Sequence, residues 1–80
     1  MREVEDYSEG YPPRKIWVNL TAVKMVEPTW IFNPQMVKID MYSLYLGGNR
    51  YVIVTKEEGE SIIIDMLEIL MKLLDKQVST

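Results

Sequence analysis

From Ile62 to Leu74 the chain carries ten apolar residues and three charged ones, Asp65, Glu68 and Lys72. At about 100° per residue, Ser61, Asp65, Glu68, Lys72, Asp75 and Lys76 gather in one polar stripe roughly 100° wide, and the rest of the circumference is Ile, Leu and Met. A surface helix ordinarily shows the reverse, a modest apolar stripe and a broad polar face. The whole chain is only 80 residues long, one domain at most. A sheet built from what remains covers one side of such a helix and leaves apolar surface over. Contiguous apolar surface of that kind marks an interface. The expected resolution is a homodimer in which two copies pack through Ile63, Met66, Leu67, Leu70, Leu73 and Leu74. A groove for a different, larger protein is the second resolution. Cover from the chain's own Trp30-Ile31-Phe32 and N-terminal segment is the third.

Upstream of this helix the period changes from 3.6 to 2. Val37, Ile39 and Met41 alternate with Lys38, Asp40 and Tyr42, and Tyr51, Ile53 and Thr55 alternate with Val52 and Val54. Gly47-Gly48-Asn49 between them accepts the positive φ of a tight turn, so the pair predicts a β-hairpin. Ile16, Val18 and Leu20 alternate with Trp17, Asn19 and Thr21, which predicts a half-buried strand. Its phase slips near Asn19–Ala22, where Asn and Thr side chains can bond nearby backbone. Glu27-Pro28 is expected to end that element. Thr29–Gln35 then reads as a loop with Trp30, Ile31 and Phe32, either folded back over the core or exposed as an anchor for a partner protein. Thr55 with Glu58 three residues later has capping-box spacing, although Gly59 weakens the first turn. Residues 1–15 carry Glu3, Glu5, Asp6 and Glu9 around Tyr7, Gly10, Tyr11 and Pro12-Pro13 without a period. They read as a flexible acidic tail, whose Tyr7 and Tyr11 are candidate protein-binding residues. Residues 16–78 form the single domain. The fold class expected is α+β, a small antiparallel sheet of three or four strands packed against one long C-terminal helix.

Composition removes several chemistries. The chain has no cysteine and no histidine, so disulfides, thiolate zinc sites, imidazole bases and Cys–His or Ser–His pairs are absent. Twelve acids against nine bases give a formal charge of −3, which opposes a strongly basic nucleic-acid surface. Glu57, Glu58 and Glu60 lack a calcium-loop spacing, and Gly47-Gly48 lacks the lysine of a phosphate-binding loop. No metal, no cofactor and no catalytic residue are expected. The first residues, Met1–Tyr7, include no apolar core of a secretory signal, and Ile62–Leu74 is too short and too charged to span a bilayer. A cytoplasmic protein is expected.

Val18-Asn19-Leu20, Val23, Val26-Glu27 and Tyr51-Val52-Ile53-Val54, followed by an acidic helix start, resemble the FlbD family of small flagellum-associated bacterial proteins over about residues 16–75. The acidic, proline-containing N-terminal segment stands where that family has an opening strand. The resemblance implies a small sheet-plus-helix module without a catalytic residue. The function expected is non-catalytic protein binding that regulates or inhibits a larger macromolecule, as an accessory or phage-encoded host modulator. The alternatives are a nucleic-acid-related protein, binding DNA through the sheet or mimicking it towards a basic host protein, and a structural subunit of a phage or flagellar assembly.

Overall fold

The computed structural model describes residues 1–78. Five strands and one long helix follow in order: β1 (Arg2–Asp6), β2 (Arg14–Val18), β3 (Met25–Phe32), β4 (Lys38–Gly47), β5 (Arg50–Thr55) and α1 (Lys56–Val78). A single 3-10 turn, Leu20–Ala22, joins β2 to β3. The architecture is α+β, with two small antiparallel sheets, β1-β2 and β3-β4-β5, packed with the helix.

The β4–β5 pair forms where alternation and glycine placed it. Its ladder runs from Met41–Thr55 to Gly47–Arg50, with an irregularity between Tyr45 and Gly47. Gly47, Gly48 and Asn49 all have positive φ, so the turn uses residue types that tolerate the left-handed region. The phase slip after Val18 is the 3-10 turn. There the Asn19 side-chain oxygen accepts from the Thr21 amide at 3.1 Å and from its hydroxyl at 2.7 Å.

Three expectations are corrected. The element beginning at Met25 does not stop at Glu27-Pro28. It continues to Phe32, paired throughout with β4, with Pro28 opposite Tyr42 and Trp30 opposite Asp40. An edge strand tolerates proline where the nitrogen faces away from the ladder, so the aromatic run is strand and not loop. Residues 1–15 are not a featureless tail. Residues 2–6 pair in register with 14–18, and Val4 is buried in the core with Val18, Leu44, Val52, Val54 and Ile62. The acidic segment therefore does hold an opening strand. Finally, Ile16–Val18 and Met25–Val26 belong to different sheets.

Asp6 joins the two sheets. Its side chain is almost wholly buried. Oδ1 accepts from the Ser8 amide (2.8 Å) and the Ile53 amide (3.1 Å), while Oδ2 accepts from the Ser8 hydroxyl (2.9 Å) and Arg14 (3.3 Å). One residue on, the Tyr7 amide donates to the Ile53 carbonyl at 2.7 Å. The carboxylate thus serves β5 where β1 no longer offers a backbone partner. Burial alone would raise its pKa, but these four donors outweigh it and hold the group below the ordinary carboxylate range.

The helix is seated by a close approach. An added Cβ on Gly59 would stand 2.4 Å from Tyr42 Cδ2 and 2.8 Å from both Tyr42 Cβ and Cγ. The glycine that weakens the first turn is therefore what lets that turn lie against β4. Thr55 Oγ1 accepts from the Glu58 amide at 3.2 Å, the cap expected from the spacing. The Glu58 carboxylate is engaged elsewhere. It takes Arg2 of β1 in a two-point contact, Nε to Oε1 and one terminal nitrogen to Oε2, both at 3.2 Å.

Both contacts can be tested by substitution. Gly59→Ala lowers unfolding stability by about 1–3 kcal/mol through overpacking, beyond any gain in helix propensity; urea denaturation at neutral pH reads the loss. Because the Asp6 pKa is lower folded than unfolded, its contribution is complete above the unfolded carboxylate value. It is lost as pH falls through the folded value. Asp6→Asn costs about 1–3 kcal/mol near pH 7 and flattens the fall of the urea midpoint between about pH 5 and the acid limit.

Candidate functional site

The feature that sets this molecule apart is a helix longer than its support. Twenty-three residues make a rod of about 34 Å. Its first turns lie over the sheet, Gly59 against Tyr42 and Ile62 fully buried. Met66 is packed against the core edge. Beyond that the sheet ends and the rod continues, so the body measures 55 × 21 × 19 Å.

With Gly59 and Ile62 against the sheet, the polar side of α1 faces Arg2. Besides Glu58, its guanidinium donates to Ser61 Oγ at 2.9 Å and pairs with Asp65. Three residues of the helix's polar side are thereby turned towards β1. The apolar arc is left facing the sheet on one side and solvent elsewhere. Ile64, Leu67, Leu70, Met71, Leu73 and Leu74 are each between 51% and 63% exposed. Leaving half of such a side chain wet forgoes about 1 kcal/mol, which places several kcal/mol on one face.

Where the rod leaves the sheet an apolar groove of about 560 Å³ opens. One side is Leu20, Thr21, Val23 and Val26, and the other is Ile63, Met66, Leu67, Ile69, Leu70 and Leu73 of α1. Five of the six residues expected at a dimer interface line it. The sixth, Leu74, stands exposed one turn beyond Leu70. Ile63 and Met66 are half-buried and the other four are exposed. Sequence periodicity does not mark Leu20, Val23 and Val26 as part of a site, although the phase slip at Asn19–Ala22 is the signal that the chain turns there.

The second candidate set divides in two. Trp30 and Phe32 lie on one face of β3 with their rings edge to face at 5.2 Å, and the Lys38 ammonium sits 5.2 Å from the Trp30 ring centroid, within cation–π range. Both aromatics are half-exposed, whereas Ile31 points to the opposite face. Tyr7 and Tyr11 form their own edge-to-face pair at 5.2 Å, on the β5 side of the three-stranded sheet and away from the β3 edge. They do not join Trp30. Tyr7 donates to Glu5 Oε2 at 3.1 Å. Its burial, together with that carboxylate, raises the hydroxyl pKa above the ordinary tyrosine value.

Among the described residues no group of three or more Asp or Glu side chains is arranged to hold a metal ion, and no described helix is long and apolar enough to cross a membrane. A polar hollow lies around Asp6, Arg14, Arg50 and Tyr51, but its buried acid is already bound to four donors. Set against protein families, curated proteins and solved structures, the chain matches none of them.

Proposed function

We propose that this chain is a non-catalytic protein-binding module that works as a homodimer through α1 and regulates or inhibits a larger macromolecular partner. The observation that carries the reading is the wet apolar face of α1 with the groove beneath it. A site of that chemistry binds apolar protein surface; the one polar side chain in its lining, Thr21, donates its hydroxyl hydrogen to Asn19 Oδ1. The chain has no histidine or cysteine, and Asp6 is committed to the fold.

A second copy is favoured over an unrelated partner because one exposed helix face can serve both sides of a symmetric contact. The apolar arc of α1 in one copy can pack against the same arc of another about a two-fold axis, each copy giving and receiving the same contact. In such a dimer the polar stripe stays at the rim, held by Arg2, and the aromatic ribbon remains for further contacts.

Sedimentation of the purified chain at micromolar concentration tests this. The expected species is a dimer. Leu70→Asp and Leu73→Asp each weaken it by about 100-fold or more, since a carboxylate placed in an apolar contact is desolvated without a partner. Circular dichroism stays unchanged because both side chains are exposed in the single chain. A wild-type chain that sediments as a monomer, with neither substitution altering mass or solubility, overturns the reading.

A further inference from the structure

We propose that Trp30 and Phe32, at the projecting end of the β3–β4 ribbon, cover the overhanging last turns of α1 from a second copy, the two copies being related by a two-fold axis perpendicular to their helices. This rests on the homodimer reading above and names the second surface that completes it.

The ribbon and the helix share one face of the sheet. Along β3, Val26, Pro28, Trp30 and Phe32 point to the same side, and Val26 lies beside α1 in the groove. Across the ladder the same side carries Lys38, Asp40, Tyr42 and Leu44, and Tyr42 is the residue beneath Gly59. Trp30 and Phe32 thus look outward on the face that α1 covers, in a stretch the helix does not reach.

The two uncovered stretches lie at opposite ends. Helix α1 leaves β5 beside the Met41–Thr55 pair, turns back over Tyr42, and passes towards Leu20 and Val23. It overhangs there. At the other end β5 stops at Thr55, and β3 and β4 continue as a two-stranded ribbon through Trp30–Asp40 and Phe32–Lys38. The overhang from Leu70 to Lys76 is about 10 Å at 1.5 Å per residue, and the ribbon from Met41 to Lys38 is about 10 Å at 3.4 Å per residue. A two-fold rotation exchanges the ends of a long body, so each overhang falls on the other copy's ribbon and both contacts form at once.

Chemistry and area agree with length. Both surfaces have apolar centres with charged residues at the margin, Lys38 and Asp40 on the ribbon, Lys72, Asp75 and Lys76 on the helix, a pattern of apolar core and polar rim. Leu70, Met71, Leu73 and Leu74 of the overhang and the two aromatics, each about half-exposed, offer roughly 600 Å² per copy if half a large side chain is taken as about 100 Å². That is the lower end of what one partner gives to a standard interface. Helix-to-helix contact alone leaves the aromatic pair wet; the proposed contact uses both.

Cross-linking between two variants tests the placement, and the cysteine-free sequence makes each introduced thiol unique. Lys38→Cys and Leu74→Cys lie at opposite ends of one chain. Mixed and treated with a short bismaleimide, they are expected to give a covalent dimer that joins one copy of each variant through its introduced thiol, which neither variant forms alone. Trp30→Ala is expected to raise the dimer dissociation constant about tenfold with an unchanged circular dichroism spectrum, whereas Trp17→Ala, exposed on β2, leaves it unchanged. A dimer that gives no mixed product, or in which Leu74→Cys links to itself, overturns the ribbon contact while the homodimer stands. A monomer at every concentration overturns both.

Discussion

The contact between Gly59 and Tyr42 governs what the rest of the molecule presents. A helix with a side chain at that position would stand off from β4 by the thickness of a methyl group, and Ile62 would lose its place among Leu44, Val52 and Val54. With glycine there, the first turns of α1 are drawn tight against the sheet. The axis is thereby fixed, and with it the point at which the rod runs out of support. The local cost in helix propensity, about 1 kcal/mol, falls on a turn that Thr55 caps and the sheet supports.

The same rotation that buries Ile62 brings the polar side of α1 to Arg2. A surface ion pair contributes little stability by itself. This one is two-pointed on Glu58 and reaches Ser61 and Asp65 as well, so its effect is geometric. It ties the polar stripe to β1. The N-terminal strand is in turn held by Asp6, whose carboxylate stands in for missing backbone acceptors. Two polar residues of a segment that looks like a solvated tail therefore tie the small sheet to β5 and to the helix.

The hairpin, the helix and its excess of apolar circumference are legible in the sequence because each rests on a local rule: period 2, positive-φ turn residues, period 3.6. Val18, Val52, Val54 and Ile62 follow from the same periods. What is not legible depends on distant partners. Nothing near Arg2 in sequence announces Glu58, and nothing near Asp6 announces Ile53. Val4 sits among acids that hide its burial. Pro28 suggests a stop because the rule for proline is local, whereas its tolerance at an edge is a property of the sheet. The aromatic run stands out as unusual, but strand alternation is needed to separate Trp30 and Phe32 from Ile31. The side of the groove opposite the helix, Leu20, Val23 and Val26, emerges only once the 3-10 turn is set against the helix.

The proline within β3 has a consequence for how this protein can aggregate. An edge strand rich in Trp, Ile and Phe is the kind of segment that recruits further strands end over end into fibrils. Halfway along it Pro28 withholds an amide hydrogen, so an incoming strand cannot zip past that point with a continuous ladder. Runaway polymerisation along the sheet is obstructed by one ring, which leaves the molecule free to keep its greasy residues on show without being consumed by them.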